Sequence, residues 1–154
     1  MLKLILTLSS IVFSSSLFGG ELWCGRGSTA VTVLDAPTAK EPYFKVTLKN
    51  ELINKTYHFD IQNDHLHARC DTTESGIEVL FINNACGGSG CADYGNFGII
   101  DLRTGAVLLE PDQRYKGNLE KAKEIMGKEI KKFSCYNESD ERDEVCLYSK
   151  IELG

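Results

Sequence analysis

The apolar stretch that opens this chain, Leu4 to Phe18, lacks the length to cross a bilayer: fifteen residues, broken by Thr7, Ser9, Ser10 and Ser14 to Ser16, fall short of a spanning helix. With Lys3 as a small basic start, residues 1–19 read instead as a secretion signal, with cleavage near Ser16 to Gly20. A lipoprotein signal is excluded, because Trp23 stands immediately before Cys24 where a small residue is needed. Residues 20–154 then form one disulfide-stabilised, β-rich domain of about 135 residues, long enough for a real core.

Cys-x-x-Cys spacing is also missing, although there are six cysteines: Cys24, Cys70, Cys86, Cys91, Cys135 and Cys146. Zinc clusters favour that spacing. An even cysteine count behind an export signal reads as a disulfide framework made in an oxidising compartment, so the expected location is periplasmic or secreted.

Basic charge is in short supply. Seventeen Lys and Arg face twenty-two Asp and Glu, a formal charge of −5 that becomes −6 once Lys3 leaves with the signal. Such a surface repels phosphate backbones and anionic head groups, which argues against nucleic acid and against a membrane anchor after cleavage. Plain solubility asks for the same charge, and so does a basic protein partner.

Catalytic motifs are incomplete. Gly88-Ser89-Gly90 suggests a serine nucleophile, but the elbow needs Gly-x-Ser-x-Gly and Cys91 occupies the last position, with no helix pattern behind it. A triad would have to recruit His58, His65 or His67. No catalytic residue and no cofactor is assigned, and a small Ser89-dependent hydrolase stands as an alternative. His65-x-His67 could supply half of a zinc or copper site, the second alternative. Against it, Arg69 shares the face and repels a cation, so a solvated hairpin face is expected and no metal ligand is assigned.

What the sequence does have is alternation. Phe44, Val46 and Leu48 alternate with polar residues, Ile77, Val79 and Phe81 share a face, and Val31 with Val33 hints at an earlier strand. Turn residues punctuate these runs, which predicts a mostly-β fold: one antiparallel domain, sandwich or barrel-like, with one short helix and disulfide staples. A hairpin around Asn63-Asp64 would set Ile61 opposite Leu66, Phe59 opposite Ala68 and Tyr57 opposite Cys70, with Asp60 facing His67 across it. The helix is expected at 118–127, capped by Asn118, striped by Leu119, Ala122, Ile125 and Met126, supported by Glu124–Lys128 and stopped by Gly127. Ile130 to Cys135 and Val145 to Leu153 read as a final strand pair. Asp101-Leu102-Arg103-Thr104-Gly105 is similar to the hairpin common in propeller blades; it occurs once, so it implies a hairpin only.

Six cysteines allow fifteen pairings. Local geometry favours Cys86–Cys91 around Gly87-Gly88-Ser89-Gly90 and Cys135–Cys146 across the last hairpin, which leaves Cys24–Cys70, the longest closure. Trp23 is expected to pack on that last bridge. The cinched loop presents Ser89, Asp93, Tyr94 and Asn96 as candidate partner-binding residues, since a pre-organised loop loses little entropy on docking. An elaborate turn is its bland reading. Asn137 to Glu144 carries five carboxylates without the central glycine of a calcium loop. Its Asp140 and Asp143 are candidate contacts to a basic partner, and a solvated tip explains them equally well. In general look (signal, β-rich domain, local disulfides, acidic surface) the chain is similar to small periplasmic inhibitors and immunity proteins, a likeness of architecture that implies an exported, non-enzymatic binding protein, such as an inhibitor or immunity protein against a basic hydrolase or toxin that degrades the cell wall.

Overall fold

The computed structural model describes residues 20–24, 29–34, 44–49, 53–59, 65–85, 95–111, 117–133 and 144–148. The first four strands, β1 (Gly20–Cys24), β2 (Thr29–Leu34), β3 (Phe44–Lys49) and β4 (Asn54–Phe59), form an antiparallel sheet in chain order. A second antiparallel sheet holds β5 (His65–Thr72), β6 (Glu78–Ala85), β7 (Asn96–Asp101), β8 (Val107–Leu109) and β9 (Glu144–Tyr148) in the order β8-β7-β6-β5-β9. One helix, α1 (Leu119–Met126), lies between β8 and β9 in the chain.

The two sheets face each other, and alternation decides what lies between them. Leu22, Cys24, Tyr57, Leu66, Ala68, Leu80, Ile82, Ile100 and Leu102 are buried together in the inter-sheet core. The intervening residues of β6 and β7, namely Val79, Phe81, Phe97 and Ile99, point to the other side of the second sheet, where Ala122 and Met126 of α1 cover them. Both faces of β6 and β7 are therefore buried, and each fully buried Leu, Ile or Phe there contributes about 1.5–3 kcal/mol. Ile77 stands outside this pattern, ahead of β6 and 40% exposed.

The expected hairpin around Asn63-Asp64 does not form. β4 pairs with β3, from Phe44 opposite Phe59 to Lys49 opposite Asn54, whereas β5 pairs with β6 on one side and β9 on the other. With both hydrogen-bonding edges of β5 occupied, β4 has no edge there to take. Tyr57 and Cys70 do meet the same core, but from opposite sheets. The last strand pair is corrected as well: Ile130 to Phe133 is not a strand, and β9 lies beside β5.

The helix falls where periodicity put it, yet its N-terminus is built differently. Asn118 makes no side-chain cap. Its Oδ1 accepts from the Phe97 N–H at 2.7 Å, and its Nδ2 donates to the Phe97 carbonyl at 2.7 Å and the Glu110 carbonyl at 3.2 Å. β8 ends at Leu109 opposite Ile99, so Pro111 would come next opposite Phe97, and proline has no N–H to offer. The Asn118 amide stands in for the missing ladder partner. At the other end, Gly127 closes the helix at φ +68° and its N–H reaches the Lys123 carbonyl. Lys128 turns to Asp71 at 2.7 Å, in place of the expected Glu124.

A Cβ on Gly127 would sit 2.9 Å from both Cβ and Oε2 of Glu74, whose N–H donates to the Met126 carbonyl at 2.8 Å. Gly127→Ala is thus expected to cost about 1–2 kcal/mol from the left-handed conformation alone, with more from the crowded β5–β6 turn. Urea titration of both proteins measures this, and an unchanged midpoint would contradict it.

Candidate functional site

Cys24 and Cys70 are bonded, with Cα atoms 5.2 Å apart and a sequence separation of 46. The bridge joins β1 of one sheet to β5 of the other inside the core, and it is the pair that the two local pairings leave over. Cys86, Cys91 and Cys135 lie outside the described residues, as does the side chain of Cys146, and with them the two local pairings.

Ser89, Asp93, Tyr94, Asp140 and Asp143 also lie outside the described residues. Asn96 does not, and it is no exposed contact: it is 8% exposed in β7, with its N–H donating to Asn83 Oδ1 at 3.0 Å. A residue that starts a central strand is held by the ladder and by its neighbours. The two candidate segments join the second sheet at different levels. The 86–95 connection leaves β6 at Ala85, level with His65, whereas the acidic segment enters β9 at Glu144, level with Arg69. Four residues of strand separate those levels, roughly 13 Å.

His58 lies on β4 of the first sheet while His65 and His67 stay two residues apart on β5 of the second, which removes the one-hairpin setting for a triad and leaves the His65-x-His67 pair on one strand. His58 is exposed on β4 of the first sheet; His67, on β5 of the second, is 5% exposed, its ring 5.5 Å from that of Phe133. The expected solvated face of β5 is instead a covered one. Among the described residues no cluster of three or more His, Cys, Asp or Glu is arranged to hold a metal ion.

Arg69, 7% exposed, is the centre of that covered face. Its guanidinium lies 5.1 Å from the Phe81 ring and 4.6 Å from the Phe133 ring, close enough for cation–π attraction to both. Nη1 donates to the Lys131 carbonyl at 2.9 Å, Nε donates to Asp71 Oδ2 at 3.3 Å, and Glu144 stands 3.5 Å from Nη1. Asp71 in turn accepts from Lys128 Nζ at 2.7 Å and from the Thr72 N–H at 2.8 Å. Burial pushes the Asp71 carboxyl upward, but the Lys128 and Thr72 bonds and the charges of Arg69 and Lys128 hold it below the usual carboxylate range. Two cations and two carboxylates thus balance, as a buried charge requires. This arrangement explains why Ile130 to Phe133 needs no ladder: an arginine fork takes its carbonyls.

A second polar junction ties the sheets at the β7–β8 turn. Asp101 Oδ1 accepts from the N–H groups of Arg103 and Thr104, and Gly105 turns at φ +66°. The Gly105 carbonyl then accepts from the Tyr57 hydroxyl at 2.6 Å and Lys55 Nζ at 3.1 Å. Burial raises the Tyr57 hydroxyl above its ordinary value, so it stays a donor at neutral pH. The Asp-x-x-Thr-Gly segment is a structural hairpin.

Trp23 does not pack on the disulfide. Leu22 and Cys24 are each 1% exposed and Trp23 between them is 67% exposed, as a strand's alternation dictates. The signal was in Leu-x-Cys: if the cysteine is inside, its neighbour is outside. Comparison with protein-family models, with curated proteins and with solved structures gave no match.

Proposed function

We propose that this chain is an exported, non-enzymatic binding protein that engages a basic protein partner, in the manner of an inhibitor or immunity protein. The observation that carries the reading is the Cys24–Cys70 bridge between the two sheets. Such a bond persists in an oxidising compartment, consistent with a periplasmic or secreted protein whose residues 1–19 are a signal. It also ties the sandwich that would carry the partner-binding segments, and a rigid platform lowers the ordering cost of docking. The formal charge of −5 favours a basic partner over nucleic acid. Ser89, Asp93 and Tyr94 of the 86–94 loop, with Asp140 and Asp143, are the contacts proposed, and Tyr94 is the chief anchor.

The test is to immobilise the mature protein, recover partners from a native envelope extract, and measure affinity with the purified partner. A basic protein released by salt is expected. Cys86→Ser/Cys91→Ser should stay folded and bind about tenfold more weakly, on the order of 1.4 kcal/mol. Equal affinity in the folded variant would reduce the loop to a turn, while esterase activity abolished by Ser89→Ala would replace the binding reading with a hydrolase.

A further inference from the structure

We propose that the bonds following Lys131 and Lys132 form a latched cleavage site, open to proteases of trypsin-like specificity only when Arg69 releases the two carbonyls. This goes beyond the protein-partner reading and does not depend on it. Lys131 and Lys132 are the one pair of adjacent basic residues in the chain. They lie in neither helix nor strand, and both are exposed. Such a protease seats the basic side chain in an acidic pocket and the scissile carbonyl oxygen in an oxyanion hole. The exposed lysines meet the first demand. Their carbonyls do not meet the second.

Arg69 Nη1 donates to the Lys131 carbonyl at 2.9 Å and to the Lys132 carbonyl at 3.5 Å. These are the two oxygens that a protease must polarise. Phe133, on the far side of the second bond, has its ring 4.6 Å from the guanidinium and 6.1 Å from the Phe81 ring. Cleavage therefore requires the segment to lift, which breaks both hydrogen bonds and uncovers Phe133. The lift is local, since no strand of the second sheet moves with it, and local opening costs less than global unfolding. Lys128–Asp71 and Lys123–Glu129 brace the segment only weakly, because each pair has a partly exposed partner. On cutting, water adds across the bond, leaving a carboxylate on the lysine and an ammonium on the next residue. β9 follows the cut in the chain, whereas β5, its ladder partner, precedes it. The Cys24–Cys70 bridge lies wholly before the cut and does not hold β9 to β5 afterwards.

The mature protein is digested with trypsin in the absence of denaturant, beside a synthetic peptide of residues 127–134, and mass spectrometry follows each new terminus. Cuts after Lys131 and Lys132 are expected at least about a hundredfold more slowly than in the peptide, yet ahead of any cut after Lys121 in α1. Arg69→Lys loses the planar fork, so the rate after Lys131 and Lys132 should rise about tenfold more than the rate after Lys121. Three results would each overturn the proposal. Cutting at the peptide's rate would mean that nothing latches the site. Cuts that appear only together with the cut after Lys121 would mean that the whole domain must unfold. Equal acceleration at all three lysines in Arg69→Lys would take the latch away from Arg69. The first two outcomes are read from the parent protein alone, so they decide the matter even where the variant does not fold.

Discussion

Replacing Arg69 by alanine is expected to destabilise the protein by about 3–5 kcal/mol, which lowers the melting temperature by roughly 10 °C. The guanidinium is buried against Phe81 and Phe133 and bonded to the Lys131 carbonyl and Asp71. Its removal leaves a gap between rings, a carbonyl without its donor, and two carboxylates, Asp71 and Glu144, without one of their cations. Arg69→Lys keeps the charge but loses the planar fork and the stacking, so it should recover only part of the loss. The acid side of the stability curve should change as well. Because the folded-state pKa of Asp71 is depressed, its contribution is fully present above the unfolded value, near 3.9, and is lost as pH falls through the folded value. In Arg69→Ala one of the causes of that depression is gone, so the loss of stability below about pH 4 should be shallower than in the parent. Thermal melts from pH 2 to 7 measure both effects. A variant that melts with the parent would place Arg69 in solvent.

Changing Cys24 and Cys70 together to alanine is expected to cost about 4 kcal/mol, the loop-closure entropy for a bridge that spans 46 residues. Two features favour the full amount. The bridge lies in the inter-sheet core, where Cys24 is 1% exposed, and it links sheets that share no ladder hydrogen bonds. Removing it frees β1, the outermost strand of its sheet, from β5. Denaturant titration of the double variant checks the figure. A loss below about 1 kcal/mol would mean that packing alone fixes the two sheets.

Class and helix were legible in the sequence because each rests on local physics, and the long disulfide was reached only as the pair left once the two local pairings were assumed. Alternation at Phe44 to Leu48 and at Val79 to Phe81 marks strands, Leu119 to Met126 carries a helical stripe, and Gly127 supplies the left-handed stop. Strand neighbours were not legible. Residues 57–61 and 66–70 match as a hairpin by face, yet period-two patterning states which side a residue faces and not which strand lies beside it. The choice was made by β6 and β9, both distant in sequence, which take the two edges of β5.

The covered face of β5 was missed for the same reason. His67-x-Arg69-x-Asp71 reads as a polar, solvated stripe until α1 and the segment ending at Phe133 are laid over it. The alternating Arg and Asp were the available signal, since a cation and an anion two residues apart on one strand face can neutralise each other under cover. Asn118 gave a true helix boundary for an incomplete reason: its amide is spent on the β7 backbone, a role visible only once β8 is known to end at Leu109 opposite Ile99. Of the candidate contacts, Asn96 belongs to the core of β7, and Trp23, assigned to the interior, is the exposed one.

The central claim is a two-sheet sandwich closed by the Cys24–Cys70 bridge between its sheets, and peptide mapping of the native protein without reduction tests it most directly. Trypsin and a glutamate-specific protease together cut after Glu21, Arg26, Arg69 and Glu74, which separates Cys70 from Cys86 and Cys91. Expected is a single species joining Leu22–Arg26 to Cys70–Glu74 through Cys24 and Cys70, which splits into the two peptides on reduction. Recovery of Cys24 or Cys70 as a free thiol, or of either one bonded to another cysteine, would contradict it.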